Sequence, residues 1–182
     1  MKVLIPIAHG SESLETITLV NLLRRASIEV DLSSIESDRS IEATRGIRLH
    51  ADSLLGDRRG EVFDAIVLPG GEPGSRKLAK SAPLAAMLTA QRQAHRWYGA
   101  ICAAPALTLS PLGLLDGKQA TCYPSLREHL LHYVDLPVVI DGHCITSQGP
   151  GTAQAFALTW IEKLAGVEVR RQVAETALIP AS

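Results

Sequence analysis

Cysteine is scarce in this 182-residue chain: there are three, Cys102, Cys122 and Cys144, an odd number with no metal-ligand spacing. That argues against a disulfide framework and predicts free thiols in a reducing compartment. An excess of charge of either sign is also missing. With a formal net charge of -1, nothing draws the chain generally to nucleic acid or to an anionic membrane. No apolar run reaches the length of a membrane span: the stretch 1–7 is short, interrupted by Pro6 and followed by polar residues. The expectation is a soluble, cytoplasmic protein. Cofactor motifs are lacking as well. The glycine-rich stretch 69–74 is not closed by Gly-Lys-Ser or Gly-Lys-Thr, and the turn 8–13 has no dinucleotide fingerprint. His129 and His132 have helical i, i+3 spacing but no third ligand in reach, so neither a cofactor nor a metal is expected. Aromatic residues make up only 4% of the chain, and Trp97 and Trp160 read as core or interface residues.

What is present is an alternation of strand-like and helix-like patterns across a chain that is 46% hydrophobic, enough for one buried core and one domain over residues 1–182. Strands are expected at 2–7, 28–35, 65–68, 97–101, 120–123 and 144–147, with a broken extended stretch at 41–50 around Arg45-Gly46. Helices are expected at 14–26 with Ser13 as N-cap, and at 83–94, 103–109 and 152–164, the last ended by Gly166. The run 65–68 has the all-apolar character of a central parallel strand. Cys122 and Cys144 are assigned to the core.

The chain is organised around Cys102. An apolar strand breaks there and restarts as a helix, the pattern of a strained nucleophile elbow. A helix N-terminus behind a cysteine favours the thiolate and lowers its pKa towards neutrality. A buried small hydrophobe is the alternative. Parallel sheets place ligand crevices at the carboxyl ends of their strands, and four segments follow such ends: 8–15, 69–74, Cys102 and Tyr123-Pro124. Glu15 is therefore delivered to the same crevice as Cys102, as an acid–base neighbour or simply as a carboxylate favourable to a helix N-terminus. The backbone at Gly70 and Gly71, with the amide of Ala103, can form an oxyanion hole or only a tight connection.

Six segments in order carry a resemblance: Gly10 to Glu15, Leu23 to Ala26, Ala43 to Gly46, Val67 to Gly71, Ala100 to Pro105 and Thr146 to Thr152. The chain resembles the ThiJ/PfpI superfamily, and within it the YajL-like branch, relatives of the Parkinsonism-associated protein deglycase. The resemblance implies a flavodoxin-like α/β three-layer sandwich with a mainly parallel sheet, assembled as a homodimer. It further implies Cys102 as the reactive cysteine, Glu15 as its carboxyl partner, and the Gly71 and Ala103 amides around an anionic oxygen. Arg25 and Arg45 would lie near the pocket or the dimer contact. Members with peptidase or amidase-like chemistry carry a histidine right after the cysteine, whereas this chain has Ala103. Tyr123 stands where the Parkinsonism-associated member has a pocket histidine. It is a poor base, which leaves acid–base work to Glu15. The implied activity is that of a cofactor-independent glyoxalase or deglycase acting on methylglyoxal or glyoxal, free or as early adducts on proteins or nucleotides. A redox-responsive chaperone or sensor working through Cys102 oxidation is the rival.

Overall fold

The computed structural model describes residues 1–180, so the last two residues of the expected 1–182 domain lie outside it. The elements run β1 (Lys2–Ile7), α1 (Ser13–Arg25), β2 (Glu29–Ser34), β3 (Ser40–Glu42), β4 (Arg48–His50), β5 (Ser53–Leu54), β6 (Ala65–Leu68), α2 (Glu72–Lys80), α3 (Ala82–Gln93) and β7 (Trp97–Ile101). They continue with β8 (Val138–Asp141), β9 (Cys144–Ser147), α4 (Ala153–Ala165) and α5 (Val167–Thr176). Seven strands form one sheet in the order β5-β2-β1-β6-β7-β9-β8, parallel except for β8, while β3 and β4 form a separate hairpin.

Side-chain alternation along β1 sets the layers. Val3, Ile5 and Ile7 pack on one face with Leu19, Leu23, Phe156, Trp160 and Ile161 of α1 and α4. Leu4 and Ala8 point to the other face, towards Leu78, Leu84, Leu88 and Tyr98. The result is a flavodoxin-like three-layer α/β sandwich. From β1 the chain moves to β2 on one side, then to β6 on the other. Their carboxyl ends therefore flank a topological switch point, where open α/β sheets hold their ligands.

Several expected elements are corrected. Residues 120–123 are not a strand: Ala120 makes only an isolated bridge to Tyr133, because β9 already occupies the free edge of β7. Thr121 reaches that sheet through a side chain, its N–H donating to Thr146 Oγ1 at 2.9 Å. The segment behind the elbow is not a regular α-helix: a turn leads into a π-helical turn over Pro105–Leu109. The N-cap of α1 is Glu12, whose carboxylate accepts from Leu14 N–H, whereas Ser13 is the first helical residue. Four elements have no clear sequence signal. In helix α2, Pro73 and Gly74 read as a loop but fit the first helical turn. Helix α5 restarts directly after Gly166 and buries only Val173. Strands β5 and β8 are short edge strands: β5 has two residues, and the apolar run of β8 has no alternation and buries only Val139.

Candidate active site

Cys102 closes β7 with a left-handed backbone, φ 64°, a conformation that an L-residue adopts only when its surroundings hold it there. Two hydrogen bonds do so: its N–H donates to Ser147 O at 3.0 Å, and its C=O accepts from Tyr123 N–H at 2.8 Å. The strained turn thrusts the thiol off the end of the sheet, where it remains partly exposed. The backbone amides of Gly71 and Ala103 favour the anionic form of the sulfur.

Glu15, in the first turn of α1, is fully buried beside that thiol. Its Oε2 accepts from Gly70 N–H at 2.7 Å, and its Oε1 has no hydrogen-bond partner among the described residues. Gly70 is wedged between the two reactive groups: a Cβ there would fall 2.5 Å from Cys102 Cβ and 2.8 Å from Glu15 Oε2. Gly71 has φ 83°, and a Cβ would meet Gly10 O at 2.2 Å. Only glycine fits at either place.

The proton balance differs from the expectation of a thiol lowered by a helix terminus. Burial, then the charge of Glu15, push the Cys102 thiol up to about 12 against the pull of the Gly71 and Ala103 amides. Burial likewise raises Glu15 to about 7, opposed by the Gly70 amide. The two groups cannot ionise together, so they act as one unit that loses its first proton near neutrality and shares the second. A negative pair poised near pH 7, set under two amides, can both attack an electrophile and move a proton.

Tyr123 reaches the elbow through its backbone bond, with its ring 46% exposed and lying over Gly149. The structure does not bring Arg25 into this crevice. It sits at the far end of α1, about 15 Å from Glu15 at 1.5 Å per residue, with its Nε donating to Asn21 Oδ1. Arg45 stands on the exposed turn between β3 and β4, φ 62°, outside the thiol's surroundings. Sequence reasoning missed Glu12 and Thr44, which tie that hairpin to the start of α1. Glutamate is not a preferred cap, so the residue type gave no local signal.

Cys122 and Cys144 are buried, as expected, and burial raises both thiols. In limited alkylation followed by peptide mapping, Cys102 should be modified first. Earlier labelling of Cys122 or Cys144 would show that accessibility does not follow this structure.

A family model described as the DJ-1/PfpI family matches residues 1–163. The chain belongs to the DJ-1/PfpI family. Among curated members it is 45% identical over 170 residues to Protein DJ-1 homolog B of Arabidopsis thaliana, covering 92% of this chain but 39% of that protein. The chain thus spans less than half the length of that relative. It is 34% identical to the Glutathione-independent glyoxalase DJR-1.2 of Caenorhabditis elegans, over 88% of this chain and 86% of that one. Among solved members, oxidized Toxoplasma gondii DJ-1 superimposes with a TM-score of 0.97 at 36% identity, covering 99% of each chain. Among the described residues, no helix is long and apolar enough to cross a membrane.

Proposed function

We propose that this DJ-1/PfpI member is a cofactor-independent, cysteine-dependent glyoxalase or deglycase for methylglyoxal, glyoxal and their early adducts on proteins or nucleotides. The observation that carries the reading is the strained Cys102 set against buried Glu15, with Gly70, Gly71 and Ala103 supplying amides to the pair. The name of the worm relative supports it.

The first ionisation leaves one negative charge and one proton on the pair. The Cys102 sulfur adds to the aldehyde carbon, and the carbonyl electrons move onto oxygen, where the Gly71 and Ala103 amides receive the alkoxide. Protonation gives a hemithioacetal. Glu15 then takes the proton from the former aldehyde carbon and returns it to the neighbouring carbonyl carbon, with the electrons reorganising through an enediol to a thioester. Water cleaves the thioester, releasing lactate from methylglyoxal or glycolate from glyoxal and restoring the thiol. No external oxidant is consumed. Tyr123 and the small residues around the thiol suit a short dicarbonyl.

We also propose a cytoplasmic homodimer. The three unpaired thiols support a reducing setting, and Leu14 and Ile17, each about half exposed on α1, supply an apolar patch that a second copy would cover. The patch borders a groove of about 500 Å³ that Arg25 helps to line, which is where Arg25 would meet a partner. Light scattering at micromolar concentration should give twice the chain mass; a monomer mass would remove that role for Arg25 and Arg45.

The functional test is steady-state lactate formation from methylglyoxal by the wild-type protein and Cys102→Ser, purified free of contaminating glyoxalases. Many turnovers per cysteine, abolished in Cys102→Ser, are expected. Oxidation of Cys102 without turnover would favour the redox sensor, for which the same amides would hold a sulfur-bound oxygen.

A further inference from the structure

The Gly70–Gly71 peptide is one rigid plane with a group at each end. Gly70 is wedged against Cys102, where the peptide's N–H, from Gly71, favours the anionic sulfur, and its C=O, from Gly70, accepts from Glu12 N–H at 2.9 Å. The direction of the sulfur-binding amide is therefore tied to the position of Glu12. Glu12 is in turn held by the hairpin of β3 and β4. Thr44 Oγ1 donates to Glu12 Oε2 at 2.8 Å and accepts from Ser13 N–H at 3.1 Å, while Thr44 N–H donates to Ser11 O at 2.9 Å. The remaining carboxylate oxygen, Oε1, accepts from Leu14 N–H at 3.1 Å.

We propose that the Glu12–Thr44 clasp is a positioning device for the Cys102–Glu15 pair, aiming the Gly71 amide at the sulfur and placing a fixed negative charge beside Glu15. Glu12 acts through other groups and does not touch the reacting atoms. The inference rests on Cys102 and Glu15 being the reacting pair.

The clasp makes two contributions of opposite sign. Its geometry favours the anionic pair by keeping the amide aligned, whereas the charge of Glu12 opposes ionisation of Glu15. Two conservative changes separate them. Thr44→Val breaks the clasp and keeps the charge. Glu12→Gln removes the charge, keeps one acceptor oxygen for Leu14 N–H, and can hold Thr44 Oγ1 only with its NH2 as the donor. The other ionisable groups on the neighbouring elements are His9 in the preceding loop, Arg24 and Arg25 at the end of α1, Glu42, Arg45, Arg48 and His50 on the hairpin, and Glu72, Arg76, Lys77 and Lys80 on α2. All stay unchanged in both variants.

The measurement is the pH midpoint of Cys102 alkylation by iodoacetamide, read by peptide mass spectrometry, with thermal melting recorded in parallel. Thr44→Val should move the midpoint up by roughly half a unit to one unit, the effect of one misaligned hydrogen bond, and Thr44→Ser should restore it. Glu12→Gln should move it down. Wild-type midpoints in Glu12→Gln and Thr44→Val, even with lowered melting temperatures, would reduce the clasp to a helix cap and overturn the proposal. If Thr44→Val does not fold, the downward shift in Glu12→Gln still decides, and its absence refutes. Failure of the wild-type protein to turn over methylglyoxal would count against the glyoxalase reading alone, since the midpoint is measured without turnover.

Discussion

Glu15→Gln should lower methylglyoxal turnover by about 10²- to 10⁴-fold, the usual worth of general acid–base catalysis, while Cys102 alkylation persists. The side-chain amide can still donate a hydrogen bond towards the sulfur, but it cannot carry a proton from one carbon to the next. Tyr123→Phe is the control. It keeps the aromatic surface over Gly149 and removes one phenol, a loss of about 1 kcal/mol or roughly fivefold in rate. Normal turnover in Glu15→Gln with a dead Tyr123→Phe would transfer the proton-moving role to the tyrosine.

The same substitution should change stability with the opposite sign. Glu15 ionises near 4.5 when exposed and near 7 when buried, so the folded state binds the proton more tightly. Below about pH 4.5 both states are protonated and the buried carboxyl costs nothing on this account. The cost grows as pH rises from 4.5 to 7 and is complete above 7, where the difference of 7 − 4.5 = 2.5 pH units corresponds to roughly 3 kcal/mol. Glutamine has no such cost. Above neutrality Glu15→Gln should melt higher than wild type, and the gap should close as the pH is lowered towards 4.5. A gap independent of pH would mean that folding leaves the proton affinity of Glu15 unchanged.

Gly71→Ala should cost about 10²- to 10³-fold in turnover, the range for losing one oxyanion donor. A Cβ at this position would lie 2.2 Å from Gly10 O and 2.7 Å from Glu12 N, and both are backbone atoms that cannot swing aside. The left-handed φ of 83° adds roughly 1–2 kcal/mol for any side chain. The peptide must rotate or the loop 10–12 must retreat, and either motion takes the Gly71 amide off the sulfur. Turnover and the alkylation midpoint, recorded with circular dichroism to establish that the sheet remains, test this. Unchanged turnover in a folded Gly71→Ala would remove the amide from the mechanism.

Much of the site was legible before the fold, for a physical reason. In a parallel sheet every strand points the same way, so residues just past strand ends share one edge however far apart they lie in the chain. That rule put Glu15, Gly70, Gly71, Cys102 and Tyr123 together from sequence pattern, and the break between two apolar runs marked the elbow. The pattern was weakest where burial is partial: β5 is two residues long, β8 is apolar but buries only Val139, α5 buries only Val173, and the segment 120–123 has a strand-like pattern although β9 takes its place.

By itself, then, the sequence determined the alternating α/β pattern and which segments share the crevice, while the resemblance to the family singled out Cys102 among them. The pattern follows from local periodicity and from the breaks at strand ends. Only the tertiary structure decided that Cys102 and Glu15 lie side by side with burial raising both, that Arg25 stands a helix length away from them, and that Thr44 is hydrogen-bonded to Glu12. Desolvation and hydrogen-bond direction depend on distances across space, and neighbours in sequence carry no record of those distances.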